Sequence, residues 1–239
     1  MPRLFGTDGI RGVANVDLRP QHAFALGRAT GHRLLAGKGP LIVGQDTRRS
    51  GDMLVASVVA GATSMGSDVH RLGICPTPAL SFVTGAGAFG AAIMVSASHN
   101  PADDNGLKVL DGHGLKLDDA EEDEIEALFL RSDELRSATN GEIGCEVDGR
   151  ALLDGYVRHR LDRARMIHTP LRIALDCAHG SGGVVAPEIL AGTGASVSVH
   201  FNEPDGTNIN LACGATAPAA LAEVVRSGVA DVGFCLDGD

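Results

Sequence analysis

Tryptophan is missing from the 239 residues, tyrosine occurs once, and aromatic residues make up only 3 % of the chain. A core cannot then rest on large rings, so Ala, Val, Leu and Ile must fill it by close packing. Basic residues are also in the minority: 20 Lys and Arg stand against 30 Asp and Glu, a formal net charge of −10. Such a surface repels phosphate backbones and anionic lipid, so neither nucleic acid nor a membrane is expected as a partner. No apolar run approaches the ~20 residues that cross a bilayer, and Met1-Pro-Arg-Leu-Phe-Gly6 holds no apolar signal segment. The expected location is therefore cytoplasmic. Five cysteines (Cys75, Cys145, Cys177, Cys213 and Cys235) are odd in number and form no C-x-x-C pair, which fits reduced thiols there. Glycine, by contrast, is plentiful at 32 residues, and the hydrophobic share of 44 % is that of a globular chain. The length suits two domains.

The stretch on which the rest depends is Ala91-Ala-Ile-Met-Val95, followed at once by Ser96-Ala-Ser-His-Asn-Pro101. A short unbroken apolar run reads as a strand buried on both faces, in the middle of a parallel sheet. Pro101 ends any ladder and biases Asn100 toward extended backbone. Ser98 and His99 are thus expected on a tight loop at the carboxyl end of a central strand, where open α/β sheets place their chemistry. Residues 103–108 add carboxylates and the cation Lys108 to that neighbourhood.

Taken in order, Phe5-Gly-Thr-Asp-Gly-Ile-Arg-Gly12 spaces glycine every third place. That predicts a permissive loop, neither helix nor strand, able to carry Arg11 close to an anion. A helix is expected over about 20–35, opened by Asp17 and Pro20 and closed by Gly37. Leu41-Ile-Val43 predicts a strand and Ser50 a helix cap, with Leu54, Val58 and Ala62 as the buried face of that helix. Gly66 ends it, and a strand over 69–72 completes a βαβ unit. Gly85-Ala-Gly-Ala-Phe-Gly90 matches G-x-G-x-x-G, yet it precedes a strand instead of following one, which excludes a dinucleotide fingerprint. The acidic run 118–126 reads as a solvated first helical turn favoured by the helix dipole. Residues 137–150 are polar and read as a linker, so the expected domains are 1–150 and 151–239. A bridging helix follows, with Leu153, Tyr156, Val157 and Leu161 on one face. Its Arg158, Arg160, Arg163 and Arg165 lack the interleaved aromatics of a nucleic-acid site.

After Pro170 the plan returns: a strand over 171–175, Asp176, a glycine loop, a helix to about 190 and a strand over 195–200. Asp46 to Val69 and Asp176 to Val199 both span 23 positions, which suggests repeated domains. A turn-rich loop, a helix over 218–226 and a buried strand over 232–236 lead to Asp237-Gly-Asp239. The expected fold class is α/β, with repeated three-layer α/β domains and mixed, largely parallel sheets.

A hydroxyl (Ser98), two cations (Arg11 and Lys108) and two carboxylates suited to a hard cation (Asp237 and Asp239) fit phosphoryl transfer, where positioning and charge neutralisation dominate. No G-x-S-x-G elbow supports a hydrolase. Residues 5–12, Asp46-Thr-Arg48, Pro76-Thr-Pro78, residues 96–101 with Asp104-Asn-Gly-Leu-Lys108, and Asp237-Gly-Asp239 resemble, as a set, the α-D-phosphohexomutase superfamily. Asn208-Ile-Asn210 with Cys213-Gly214 most resembles its phosphoglucosamine mutase branch. The resemblance implies an isomerase that interconverts glucosamine 6-phosphate and glucosamine 1-phosphate through a bisphosphate. It implies phosphate carried on Ser98, with His99, Lys108 and Arg11 as catalytic companions. It further implies Mg²⁺ held by Ser98, Asp237 and Asp239 within an Asp-Gly-Asp-Gly-Asp-Arg loop whose last part is expected beyond residue 239. The match is expected to cover the first and most of the second of four domains, and such a piece alone is expected to be inactive. His179, Ala215 and Ala217 depart from the residues usual in the branch.

Overall fold

A computed structural model describes residues 9–34, 38–164 and 171–239. Its larger sheet is built from β1 (Ile10–Val13), β2 (Leu41–Gln45), β3 (Val69–Ile74), β4 (Ala91–Val95), β5 (Asp104–Asp111) and β6 (Glu146–Asp148), interleaved with α1 (Pro20–Leu34), α2 (Gly51–Thr63), α3 (Thr77–Ala86) and α4 (Asp119–Leu130). The spatial order is β1-β5-β4-β2-β3-β6. β2, β3, β4 and β6 run parallel, whereas β5 is antiparallel to both β4 and β1. Strand periodicity sends alternate side chains to opposite faces. Leu41, Val43, Ile93 and Val95 pack with Leu26, Leu54, Val58 and Ile125 of α1, α2 and α4. Ile42, Ala92 and Met94 pack the other way, against Leu80 and Val83 of α3. All residues of β2 and β4 are buried, as the unbroken apolar run required.

The smaller sheet holds β7 (Arg172–Asp176), β8 (Ser196–His200) and β9 (Val232–Cys235), all parallel, in the order β8-β7-β9. Helix α5 (Leu153–Ala164) packs Tyr156 and Val157 on Ala79 of α3 and Val185. Helix α6 (Ala186–Ala191) lies on β8, and Leu221 of α7 (Ala219–Arg226) covers Ala174. The order β9-β7-β8 repeats β4-β2-β3. Even the turns after the central strands agree: Asp46 Oδ1 accepts from the Arg48 amide at 2.9 Å, and Asp176 Oδ1 from the Ala178 amide at 2.8 Å. This is the expected α/β fold of repeated units with mixed, largely parallel sheets. Among the described residues no helix is long and apolar enough to cross a membrane.

Several local expectations differ from the structure. Residues 10–13 form an edge strand instead of a loop; Gly9, at φ +88°, sits where a Cβ would meet the Leu107 carbonyl at 2.2 Å, so glycine is what lets β1 lie against β5. The preceding residues 5–8, and Gly37 and Arg165, lie outside the described residues. Ser50 does not cap α2 through its side chain; its Oγ accepts from Asn105 Nδ2 at 2.8 Å instead. Part of the expected linker is β6, which pairs with β3. Glu122 in the acidic turn is buried beside Lys116 and not solvated. β9 is half-exposed rather than buried. The shared spacing of 23 is coincidental: Val69 pairs with Leu41 at the start of its strand, while Val199 pairs with Leu175 near the end. The repeat lies in topology.

Candidate active site

Equivalent positions in two repeated units face one another. The loop after β4 carries Ser98 and His99, the loop after β9 carries Asp237 and Asp239, and they meet at the carboxyl ends of both sheets. Ser98 Oγ donates to Asp237 Oδ2 at 2.5 Å. His99 Nδ1 lies 3.3 Å from Ser98 Oγ and 3.9 Å from Asp237 Oδ2. Asp239 Oδ2 accepts from Thr77 Oγ1 at 2.9 Å, at the amino end of α3, where the helix dipole favours a carboxylate. Gly238 between the two aspartates is packed so closely that a Cβ would sit 2.7 Å from the Ser98 carbonyl oxygen.

Ser98 has a left-handed backbone, φ +54°, which costs about 1–3 kcal/mol in a residue with a Cβ unless its surroundings impose it. Here they do. The Ser98 amide donates to Ser96 Oγ at 3.0 Å, and Ser96 Oγ donates to Asp46 Oδ2 at 2.6 Å. Asp46 also accepts from Arg48 Nε at 2.9 Å, both side chains being fully buried. Burial pushes the Asp46 carboxyl above the usual carboxylate range, against the lowering pull of the Arg48 charge. The rest of the Arg48 guanidinium goes to the backbone of the serine loop, as does Asn210 Nδ2.

The two expected cations lie on the antiparallel edge of the larger sheet. Arg11 on β1 is directly opposite Gly106 of β5, and Lys108 lies two residues further along β5, opposite Met94. Both therefore share the sheet face on which α3 lies. Ser98, His99 and Asp237 are drawn into one cluster by direct contacts, with Asp239 two residues further on and held by Thr77. Sequence reasoning assigned no role to Asp46, Arg48, Thr77, Ser96 or Asn210. The pattern Asp-x-Arg at the mouth of a buried strand was the available signal for the first two.

Beside the His99 imidazole, the junction offers oxygen donors: two carboxylates and the Ser98 hydroxyl. That is what a hard divalent cation such as Mg²⁺ takes, with water completing its shell. Among the described residues no group of three or more His, Cys, Asp and Glu side chains is placed to hold a metal.

Residues 2–136 match the family described as phosphoglucomutase/phosphomannomutase, alpha/beta/alpha domain I. Phosphoglucosamine mutases from Symbiobacterium thermophilum and Moorella thermoacetica are 45 % and 47 % identical over 244 aligned positions, covering 100 % of this chain and 54 % of each relative. The chain thus spans about half the length of the curated relatives it matches. The crystal structure of a phosphoglucomutase/phosphomannomutase family protein from Burkholderia thailandensis is similar at a TM-score of 0.85 and 25 % identity, over 99 % of this chain and 53 % of that one.

Proposed function

The chain belongs to the phosphoglucomutase/phosphomannomutase family, and from that premise we propose that its site serves a phosphoglucosamine mutase, an isomerase of hexosamine phosphates. The observation that carries the reading is the contact of Ser98 Oγ with Asp237 Oδ2 across two repeated units. It joins a nucleophile to a metal-type carboxylate where both sheets deliver their loops.

In the proposed reaction Ser98 carries a phosphoryl group. A hydroxyl oxygen of glucosamine 6-phosphate or glucosamine 1-phosphate bonds to phosphorus as the bond from phosphorus to Ser98 Oγ breaks. The hydroxyl proton ends on Ser98 Oγ, passed by His99 Nδ1, which lies 3.3 Å from that oxygen. The sugar is then a bisphosphate, and return of its other phosphate to Ser98 completes the exchange. Arg11 and Lys108 stabilise charge on the oxygens of the transferring group. Asp237, Asp239 and the Ser98 oxygen would hold Mg²⁺, which supplies neutralisation of the phosphoryl charge. We assign residues 1–150 and 151–239 to successive domains; β6 is the last strand of the larger sheet and β7 the first of the smaller. A cytoplasmic setting accords with five free cysteines.

Intact-mass analysis tests the reading. After incubation with glucose 1,6-bisphosphate and Mg²⁺ the chain is expected to gain one phosphate, located on Ser98 by fragmentation and absent from Ser98→Ala. An adduct retained by Ser98→Ala, or no adduct on the wild type, overturns it. Product analysis with glucosamine, mannose and glucose 6-phosphates, using a chain extended to the length of its relatives, separates this activity from that of a phosphomannomutase or phosphoglucomutase. The 239 residues alone are expected to show no saturable turnover, because substrate contacts remote from the reacting centre contribute to kcat.

A further inference from the structure

A buried ion pair is a weak source of stability, because desolvation offsets most of its attraction. Arg48 and Asp46 form such a pair with both side chains at 0 % exposure, and the way the guanidinium is spent indicates another purpose. Beyond Asp46, its nitrogens donate only to main-chain carbonyls of the serine loop and the first residue of β5: Ser98 at 2.8 Å, Asn100 at 3.0 Å, Asp104 at 3.0 Å, and Pro101. Asn210, from the other repeated unit, donates through Nδ2 to two of the same carbonyls, Ser98 at 2.9 Å and Asn100 at 3.1 Å.

We infer that Arg48 is a positioning residue for phosphoryl transfer, which with Asn210 locks the serine loop in its left-handed conformation by gathering its carbonyls inward. The inference rests on the reading of Ser98 as phosphoryl carrier. Its geometry has a further consequence. The chain contains no cis peptide bond among the described residues, and in a trans peptide the N–H points opposite to the C=O. Turning the Ser98 carbonyl into Arg48 therefore turns the His99 N–H away from it, so one clamp sets both the direction of Oγ and an adjacent amide donor. Lysine cannot replace this arrangement, since a single ammonium has three donors and no planar fork. Asn210 itself sits at φ +61°, a conformation asparagine tolerates better than most residues.

The test compares wild type, Arg48→Lys and Asn210→Ala in two readouts: amide hydrogen exchange, and the rate at which Ser98 takes phosphate from glucose 1,6-bisphosphate with Mg²⁺. The hydrogen-bonded amides of Ser98, Asn100 and Asp104 are expected to exchange roughly tenfold faster in the variants, while those of β4 keep wild-type protection. The maximal phosphorylation rate is expected to fall about 100-fold, with the half-saturating donor concentration unchanged, because misplacement by about 1 Å is that costly. A purely structural role would instead lower protection throughout or leave the rate alone. If Arg48→Lys loses protection in β4 as well, it is unfolding, and Asn210→Ala, uncharged and half-buried, decides the matter. Wild-type exchange and rate in the deciding variant overturn the inference. If the wild type takes no phosphate, the functional reading fails, and the exchange comparison still judges the clamp.

Discussion

Gly238 shows how much the junction demands of a single residue. A Cβ there would lie 2.7 Å from the Ser98 carbonyl oxygen and 3.0 Å from both Asn210 Nδ2 and Ile209 Cδ1. Backbone and a committed amide cannot retreat cheaply, so Gly238→Ala is expected to cost about 1–3 kcal/mol in urea denaturation and to slow phosphorylation of Ser98. Gly141, around which nothing lies within 4 Å, is the control: Gly141→Ala should be neutral or slightly stabilising. The thiols give a second expectation. Burial pushes Cys75 and Cys177 up to about 12 and Cys213 up to about 11, and raises Cys235 as well. At pH 8 a thiol at about 11 is thiolate in roughly one molecule per thousand. Exposed Cys145 should thus be the fast-reacting site with a maleimide in the native protein, and rapid labelling of Cys177 would contradict the packing. At this scale the placement of Ser98, His99, Asp237 and Asp239 on loops was legible, because each loop follows an apolar strand. The loop partners of Arg48 and Asn210 were not, since those lie 50 or more positions away and only the fold brings them close.

Elements were legible in proportion to the apolar surface they bury. β2 and β4 declare themselves as unbroken apolar runs, because both faces are buried, and α2 by the spacing of its one buried face. β1 and β6 escaped because an edge strand needs only a row of backbone bonds on one side. All three residues of β6 are exposed, and β1 contains Arg11 and Gly12 within four residues. Their stabilities should differ accordingly from that of β4. Ile93 is fully buried in the cluster with α1, α2 and α4, and Ile93→Ala is expected to cost ~2–5 kcal/mol. Val147→Ala, on the exposed β6, should shift the same denaturation midpoint little. Comparable losses at the two positions would mean that the larger sheet is not organised around β4.

On the scale of the whole molecule, the site exists because a topology occurs twice, so that the loop after β4 meets the loop after β9. The junction gathers charge of one sign. Asp237 and Asp239 already lie there, and phosphate on Ser98 would add about −1.5 to −2 more. Like charges this close repel. Phosphorylation should therefore change the sign of its effect with the cation supply. In excess chelator, phospho-Ser98 is expected to lower the Tm, because the new charge pushes the two loops apart. With Mg²⁺ it should raise the Tm, because the same oxygens become donors and the ion ties the units together. A ligand at a hundred times its Kd contributes about 2.7 kcal/mol to the folded state, which is ample to reverse a repulsion partly screened by solvent. Asp237→Asn should weaken the Mg²⁺-dependent rise, and the unphosphorylated chain should respond to Mg²⁺ far less. The measurement is thermal unfolding of four samples, with and without phosphate on Ser98, in chelator and in Mg²⁺. A phosphorylated chain whose Tm is the same in both media would show that the carboxylates at this junction do not hold the cation.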